Sequence, residues 1–445
     1  MGNLYSQKNR EVIKMPEKFK TSRISGFYKL PIEERLKVVA DFANLGEEEK
    51  KLLLVNGKPG LGLDLKTADM MIENVIGTFD LPLGIAVNFL INDKDYLIPM
   101  AIEESSVVAA ASNAAKVARV KGGFKAKASE SIMIGQIQVV GIKGENKLAN
   151  AMLAVKKQKE EILKIANEQD KVLVSLGGGA KDLETRVIKT SAGEMLIIHL
   201  LVDVKDAMGA NAVNTMCEAV APMVEEITGG KVRLRIISNL ADKRLAYATA
   251  VFDKDALGGG KVVDGILEAY AFADADPYRA ATHNKGIMNG VDAVVIAVGN
   301  DWRAVEAGAH AYAARYGRYK PLTRYWKNEK GDLVGEIELP LAIGIVGGAA
   351  SVNPLAKLCR KILGVKNANE LACVIASVGL AQNLAALRAL AVEGIQRGHM
   401  SLHAKNIAVM AGAKGDEIDV VARKMVEEKK VRLDRAKEIL EEIRK

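Results

Sequence analysis

The sequence predicts an α+β protein with a helix-rich large domain, an inserted small domain and a helical C-terminal lid. Two observations lead to this prediction. Residues 131–238 contain four segments with strand character and two long helical ones, whereas the chain on either side is mostly helical in pattern. Residues 415–445 are helical and rich in charge. We therefore place the large domain at 1–130 and 239–395, the small domain at 131–238 and the lid at 396–445.

The first part of the large domain shows recognisable helix and strand signals. Pro31 occupies a first-turn position, and an apolar stripe follows it. An alanine-rich segment runs to Arg119 and stops at a pair of glycines, as expected of a buried helix. The sequence predicts helices at 31–54, at 66–76 and up to Arg119, and strands at 85–91 and 95–100.

The small domain alternates strands and helices. The residues from Val232 to Ile236 alternate between apolar and charged, which predicts a sheet with one face in solvent. This order predicts a compact antiparallel sheet with two helices on one face, ferredoxin-like and not of the Rossmann type. The expected strands are 132–142, 183–190, 194–203 and 232–237, and the expected helices are about 146–167 and 210–227.

The second part of the large domain begins after Ser238. Residues 294–298 are an apolar, valine-rich run that predicts a short buried strand ending at Gly299-Asn300-Asp301. Residues 366–395 are expected to form one or two helices.

Composition narrows the classes of function. The chain has 445 residues, a net charge of +8 and only 4% aromatic residues. Its positive charge is scattered among glutamates, and single-stranded nucleic acid is usually bound on aromatic platforms, so we favour small anionic substrates over nucleic acid. The three widely spaced cysteines predict small buried side chains and a reducing, cytoplasmic setting. Because no uninterrupted apolar stretch reaches about 18 residues, we expect no membrane span.

Common site motifs are missing from the sequence. The sequence contains neither a phosphate-binding Gly-x-x-x-x-Gly-Lys loop nor a Gly-x-Gly-x-x-Gly turn between a strand and a helix. His399 and His403 have the spacing of metal ligands on one helix face. They lack a nearby carboxylate or cysteine partner at metal spacing, so no metal site is expected.

Three polar segments are candidates for function, and each has an ordinary alternative. The segment 203–211 follows a strand and opens a helix, where free N–H groups favour a phosphate; an ordinary turn capped by Asp206 is the better interpretation on the residues alone. The run 276–290 is polar without apolar periodicity and is equally consistent with a functional segment or a capped loop. Asp301 could place a carboxylate beside a lysine at the end of the predicted strand, but on the residues alone an ordinary turn residue is the better interpretation.

Taken together, six separated motifs resemble those of 3-hydroxy-3-methylglutaryl-coenzyme A (HMG-CoA) reductase, in its soluble class II form. The resemblance extends from about residue 22 to about 440, with the motifs in the family's order. The motifs are Glu73–Gly77, Pro99–Glu104, Asp206–Asn211, Asp276–Gly290, Gly299–Trp302 and Gly398–Met400.

The resemblance implies a reaction and its catalytic residues. The family interconverts HMG-CoA with mevalonate and CoA, using two NAD(P)H. By this resemblance Lys285 stabilises the carbonyl oxyanion, and Asp301 and Asn289 orient it. Glu104 supplies a proton during reduction of the aldehyde, and His399 protonates the departing CoA thiolate.

The resemblance also implies binding residues and an assembly. Arg279 would pair the free carboxylate of the substrate. Asp170 would contact the ribose hydroxyls of NADH, with NADPH tolerated because Lys171 and other cations lie nearby in sequence. Residues of two subunits would complete each site, which implies a homodimer or a hexamer built from dimers. The other substrate contacts would be Ser106, Asn239, Gln382 and His403, and the cofactor turn would be Asp206, Met208, Gly209, Ala210 and Asn211.

Two alternatives remain open at this point. Another CoA-thioester enzyme, such as an acyltransferase, would need a cysteine nucleophile, but all three cysteines lie in apolar helical contexts. A basic nucleic-acid-binding protein would fit the net charge but not the scattered charge and few aromatics.

Overall fold

The computed structural model of the chain describes residues 21–55, 58–59, 62–142, 147–392 and 395–444. The helices are α1 (Ile32–Ala43), α2 (Glu47–Leu53), α3 (Leu65–Met71), α4 (Val107–Arg119), α5 (Lys147–Lys157), α6 (Lys159–Glu168), α7 (Lys171–Ser175), α8 (Ala210–Thr228), α9 (Lys254–Leu257), α10 (Gly260–Ala275), α11 (Pro277–Ala297), α12 (Trp302–Ala313), α13 (Gly348–Val352), α14 (Pro354–Leu363), α15 (Ala368–Val392), α16 (Ile395–Met410), α17 (Glu417–Glu427) and α18 (Leu433–Arg444). The strands are β1 (Leu54–Val55), β2 (Lys58–Pro59), β3 (Leu83–Ile91), β4 (Lys94–Ala101), β5 (Phe124–Ala128), β6 (Ile132–Val140), β7 (Gly179–Thr190), β8 (Gly193–Asp203), β9 (Lys231–Ile237), β10 (Leu245–Phe252), β11 (Thr323–Lys327) and β12 (Leu333–Pro340).

A six-stranded sheet with the order β11-β12-β10-β5-β3-β4 organises the larger of the two sheet-centred cores. Its neighbouring strands are antiparallel except β3 and β5, which are parallel. Helices α4, α11 and α15 pack against this sheet. The sequence predicted β3 and β4 but not the other four strands, so the large domain contains more sheet than expected.

The second sheet has four strands in the order β7-β8-β6-β9, all antiparallel, with its own buried core. The chain order is β6, α5–α7, β7, β8, α8 and β9, which is the split βαβ arrangement of ferredoxin-like folds. The charged residues of β9 are exposed, as its alternating sequence predicted, but the apolar Leu234 and Ile236 are exposed as well. The α+β class predicted from the sequence is confirmed.

The prediction of a strand at 294–298 is wrong, because these residues form the end of α11, a helix of 21 residues. The polar run 276–290 is the first part of the same helix and not a loop. Its buried positions do have helical spacing, but two of them are polar. His283 bonds Thr323 at 2.6 Å, and Asn284 accepts from the Leu322 amide at 3.0 Å. Because these buried positions are polar, the sequence does not show the apolar spacing that is typical of a helix.

Helices α16, α17 and α18 enclose a separate small core at the C-terminal end. Arg435 on α18 forms ion pairs with Glu428, Glu438 and Glu442 at 2.6–3.1 Å. Of the described helices, α15 alone has the length and apolar composition of a membrane span, with a mean hydropathy of 1.5. Because 83% of the apolar stretch of α15 is buried inside the protein, α15 is a core helix.

Candidate active site

The structure brings together two residues predicted to be catalytic, Glu104 and Lys285. Glu104 lies in the turn between β4 and α4, and Lys285 lies in the third turn of α11. The Lys285 Nζ donates to the Glu104 Oε2 at 2.8 Å, and the two side chains are 61% and 40% exposed. A fixed ammonium group beside a carboxylate in an open position can stabilise negative charge on a ligand oxygen and exchange protons with it.

Helix α11 presents further polar groups at this site. Asp276 caps the helix by accepting from the Tyr278 amide at 3.2 Å, and Pro277 follows at the first helical position. Asn289 lies one turn after Lys285 on the same helix face and is half-buried. It has no hydrogen-bond partner in the described part of the chain, so its amide group is available to a ligand.

Arg279, in the first turn of α11, is a half-buried cation. Burial lowers the pKa of its guanidinium below the usual value. Neither a carboxylate nor a carbonyl among the described residues accepts a hydrogen bond from it. A partly desolvated guanidinium without a protein acceptor is suited to bind a carboxylate of a ligand.

Four buried side-chain polar atoms have no hydrogen-bond partner among the described residues: the Ser106 Oγ, the His283 Nδ1, the Asp292 Oδ1 and the Gln382 Oε1. Ser106 immediately precedes α4 with a positive φ of 73° and does not cap the helix with its side chain. Gln382 on α15 packs against α11, since a Cβ at Gly290 would lie 2.9 Å from the Gln382 Cβ. Unpaired buried polar groups are rare and often mark ligand sites.

Asp301 caps α12 instead of contacting Lys285. Its carboxylate accepts from the Ala304 amide at 3.1 Å and pairs with Arg303 at 3.1 Å. Its neighbour Asn300 exchanges two hydrogen bonds with the backbone of Gly344, at 2.9 and 2.7 Å. The turn before α12 is thus fixed to the segment that follows β12.

The same segment after β12 contacts the predicted cofactor turn. The Asp206 carbonyl accepts from the Ile345 amide at 2.8 Å, and its carboxylate accepts from the Ala368 amide at 2.8 Å, at the start of α15. A Cβ at Gly344 would lie 2.5 Å from the Met208 nitrogen, so the two backbones meet closely. The turn therefore links the small sheet to the large one.

The cofactor turn ends at the N-terminus of α8. Gly209 precedes the helix with a φ of 105°, and no side chain caps the helix. Ala210 is half-buried and Asn211 is exposed in the first turn. Free N–H groups of such a helix start can receive a phosphate.

Asp170, the predicted ribose contact, caps α7 by accepting from the Leu173 amide at 2.8 Å. The turn that follows α7 lies beside the cofactor turn, because a Cβ at Gly177 would be 3.8 Å from the Lys205 Cε. Lys205 pairs with Asp203 at 2.8 Å. The structure thus brings α7 and the 205–209 turn to the same end of the small sheet.

The remaining predicted residues lie apart from the Lys285 pair or are only partly described. Asn239 is exposed and its carbonyl faces α12, where a Cβ at Gly308 would lie 2.6 Å from it. His403 lies exposed on α16. The His399 side chain lies outside the described residues, although the backbone of α16 includes this position. No cluster of three or more metal-ligating side chains occurs in the described ranges.

The sequence did not predict a half-buried cluster that contains two acids, Asp292 and Glu306. Glu306 on α12 bonds His310 at 2.5 Å, and His310 bonds Tyr319 at 2.7 Å. Burial, together with the adjacent Glu306, raises the pKa of Asp292 to about 9. Asp292 lies two turns after Lys285 on the same face of α11, and this spacing would have revealed it had the segment been recognised as a helix.

The site therefore combines a cation–carboxylate pair, a free half-buried guanidinium and a turn suited to a phosphate. The sequence matches the family model described as Hydroxymethylglutaryl-coenzyme A reductase over residues 31–404. A 3-hydroxy-3-methylglutaryl-coenzyme A reductase of Archaeoglobus fulgidus is 66% identical over 424 residues, which cover 95% of each chain. A probable reductase of the same name from Borreliella burgdorferi is 39% identical and covers 76% of this chain and 77% of its own.

Solved structures agree with these sequence relatives. The 3-hydroxy-3-methylglutaryl-coenzyme A reductase from Streptococcus pneumoniae matches with a TM-score of 0.80 at 40% identity, over 94% of this chain and 99% of that chain. The class II enzyme from the same organism, bound to NADPH in open conformations, matches with a TM-score of 0.78 at 40% identity, over 94% and 100% of the two chains.

Proposed function

The chain belongs to the hydroxymethylglutaryl-coenzyme A reductase family, and we propose that Lys285 is the cation that stabilises the carbonyl oxyanion in its reaction. In the reductive direction HMG-CoA, two NAD(P)H and two protons give mevalonate, CoA and two NAD(P)⁺. The nicotinamide supplies a hydride to the carbonyl carbon in each of the two reductions. The observation that carries the proposal is the 2.8 Å contact between Lys285 and Glu104, which come from distant parts of the chain.

The two reductions place different demands on the residues of the chain. As the thioester carbonyl becomes tetrahedral, negative charge develops on its oxygen, and the Lys285 Nζ donates a hydrogen bond to it. Collapse of that intermediate breaks the C–S bond, and His399 gives a proton to the CoA thiolate so that it does not add back. In the second reduction Glu104 supplies the proton that converts the aldehyde oxygen to the alcohol.

The polar groups around this pair hold the substrate. Arg279 binds the free carboxylate of the HMG portion, since it is the half-buried cation that lacks an acceptor in the described ranges. Ser106 and Gln382 contribute the unpaired buried oxygens, and Asn289 contributes its amide. Asn239 and His403 are the remaining proposed contacts to the HMG portion. Asp301, which caps α12, is proposed to orient Lys285.

The cofactor is proposed to lie at the end of the small sheet, against Asp206, Met208, Gly209, Ala210 and Asn211. A helix start without a side-chain cap fits the diphosphate of a dinucleotide. One Asp170 oxygen caps α7, and the other has no partner among the described residues and would accept from a ribose hydroxyl. We propose that NADH is preferred and NADPH tolerated. The ratio of kcat/KM for the two cofactors tests this, and a large preference for NADPH would refute it.

We also propose the domain boundaries, the oligomeric state and the cellular compartment of the enzyme. The boundaries 1–130 with 239–395, 131–238 and 396–445 are supported by the hydrophobic cores: two clusters lie in the first of these units, and one lies mainly in each of the others. Three apolar side chains that follow α3 are largely exposed: Ile72 by 65%, Ile76 by 103% and Phe79 by 92%. Because exposed apolar patches often mark protein–protein interfaces, they support a homodimer, alone or within a hexamer. Phe79→Asp should convert the assembly to monomers in sedimentation experiments. Three free thiols fit a reducing cytoplasm.

The decisive experiment measures NADH consumption in the presence of HMG-CoA. Lys285→Ala should lower kcat about 10²–10³-fold, the usual effect of removing an oxyanion donor. Lys231→Ala is the matched control, because Lys231 pairs with Glu225 at 2.9 Å and is 62% exposed, nearly the values of the Lys285 pair. Unchanged turnover in Lys285→Ala would overturn the proposed role, and His399→Gln tests the thiolate step in the same assay.

Neither alternative function is favoured. Burial raises the pKa of the Cys217 and Cys359 thiols to about 12 and that of Cys373 to about 11. A cysteine nucleophile requires the opposite shift, so an acyltransferase mechanism has no suitable thiol in this structure. Salt-sensitive retention on DNA or RNA without HMG-CoA-dependent oxidation of NADH would favour a nucleic-acid-binding protein.

A further inference from the structure

Arg244 is a buried cation that has no carboxylate within 4.0 Å among the described residues. It precedes β10 and is only 4% exposed. Its guanidinium donates to four carbonyl oxygens: those of Ala207 at 3.0 Å, Met208 at 3.2 Å, Lys205 at 3.4 Å and Ile343 at 2.6 Å. Three of these four carbonyls belong to residues 205–208, which form the turn between β8 and α8 that includes the predicted cofactor residues Asp206 and Met208.

Burying the charge of Arg244 costs free energy unless hydrogen bonds to well-placed carbonyls satisfy its N–H groups. Burial lowers the pKa of the Arg244 guanidinium to about 10, and the charges of Asp203 and Asp206 partly oppose the shift. The group is therefore still charged at neutral pH. A buried charge is tolerated when hydrogen bonds satisfy its donors, and only the planar, five-donor guanidinium can reach four carbonyls at once.

The direction of these carbonyls also sets the direction of the adjacent N–H groups. In a trans peptide the C=O and the following N–H point in opposite directions. With the carbonyls of Lys205, Ala207 and Met208 aimed at Arg244, the amides of Asp206, Met208 and Gly209 point away from it. The Met208 amide faces the segment after β12, where Ala207 and Val346 form a parallel bridge. The amides of Asp206 and Gly209 have no acceptor in the described part of the chain, and the uncapped start of α8 follows at once.

We propose that Arg244 is a positioning residue for the nicotinamide dinucleotide: by holding the carbonyls of the 205–208 turn, it aims the opposite N–H groups at the phosphates of the cofactor. A row of N–H groups held in this way forms a concave anion site, and the positive end of α8 adds to it. The inference rests on the proposed function, because it assumes that this turn receives the cofactor. Arg244 itself touches neither cofactor nor substrate.

The bond to the Ile343 carbonyl extends the role of Arg244. Ile343 lies in the segment after β12, which also meets the turn through Gly344 and the Ile345 amide. Asn300 links that segment to the turn before α12. Arg244 therefore sets the position of the cofactor turn relative to the large sheet, against which α11 packs with Lys285.

The test compares Arg244→Lys with Arg119→Lys. Arg119, the last residue of α4, is the control, since it is also largely buried, at 17% side-chain exposure, and donates to a backbone carbonyl, that of Asn88. Unlike Arg244, it also pairs with a carboxylate, that of Asp95 at 2.8 Å. The affinity for NADPH is measured by the fluorescence of the bound cofactor without HMG-CoA, and KM for HMG-CoA is measured in steady state. Thermal unfolding of both variants shows whether the loss of stability is similar.

Arg244→Lys should weaken NADPH binding roughly tenfold or more, which corresponds to ~1.4 kcal/mol, while KM for HMG-CoA stays near the wild-type value. Arg119→Lys should lose comparable stability without a change in NADPH affinity. Wild-type NADPH affinity in Arg244→Lys would overturn the inference, as would equal losses in both variants. Failure of the wild-type enzyme to turn over HMG-CoA would instead refute the proposed function, because the binding measurement does not depend on turnover.

Discussion

Replacing Arg279 with methionine should separate binding of the substrate from stability of the fold. Methionine has a similar length and no charge. Because the guanidinium is half-buried, has a lowered pKa and lacks a protein acceptor among the described residues, its removal deletes a desolvated charge without breaking a bond. We expect the free enzyme to be unchanged or more stable by up to ~1 kcal/mol, a small value because the group remains partly solvated.

The same substitution should impair binding of HMG-CoA strongly. Hydrogen bonds between charged partners contribute roughly 1.5–3 kcal/mol, so their loss should raise KM for HMG-CoA about 10- to 150-fold. The carboxylate is remote from the reacting carbonyl, so kcat should fall much less than kcat/KM. NADPH consumption at varied HMG-CoA gives both constants, and thermal unfolding of the unliganded enzyme gives the stability.

Arg360→Met is the control for this prediction. Arg360 is half-buried and burial lowers its pKa as well, but it donates to the Val298 carbonyl at 3.1 Å, at the end of α11. Its loss leaves a carbonyl unpaired and should destabilise the fold by ~1–3 kcal/mol without changing KM. Our reasoning is refuted if Arg279→Met binds HMG-CoA normally, or if it loses as much stability as Arg360→Met.

Three further predictions follow from buried groups. Burial and Glu306 raise the pKa of Asp292 to about 9. The folded state therefore keeps a proton that the unfolded chain releases near pH ~4. As a result, the stability that this group contributes falls as pH rises from about 4 to 9. Asp292→Asn should therefore gain stability relative to wild type across that window in denaturant unfolding; a difference independent of pH would contradict this. Gly344→Ala should weaken NADPH binding because its Cβ would lie 2.5 Å from the Met208 nitrogen, whereas Gly260→Ala, with no atom within 4 Å, should bind NADPH normally. Iodoacetamide should leave the native activity unchanged at pH 8, since all three thiols have raised pKa values; rapid inactivation would show that one of them is accessible and reactive.

The sequence predicted the small sheet better than the large one, for a physical reason. Strands β6 to β9 carry β-branched residues and polar alternation, which are direct signals of a half-exposed sheet. Strand β5 is short, and both β5 and β10 are rich in alanine, which has little strand preference. The valine-rich run 294–298 was mistaken for a strand because a short buried apolar run has the same composition in a helix and in a strand.

The candidate site was predictable only in part. The resemblance to a family pointed to Glu104 and Lys285, but nothing in the residues themselves predicts that these two would meet at 2.8 Å. Arg244 and Asn300 were missed because their partners are backbone groups of distant segments, which leave no pattern in the sequence. Asp292 was missed for a different reason: its neighbours on the face of α11 belong to the run 276–290, which was not recognised as a helix.

The two sheets differ in how their strands are distributed along the chain, and this difference bears on biosynthesis. The four strands of the small sheet are contiguous in sequence, from Ile132 to Ile237. The large sheet needs β3, β4 and β5 from before this stretch and β10 to β12 from after it, with Ala128 paired to Ala246 across the insertion. During translation the small sheet can form while β5 still lacks its β10 partner, so the emerging chain exposes an unpaired strand edge that invites aggregation until β10 is made.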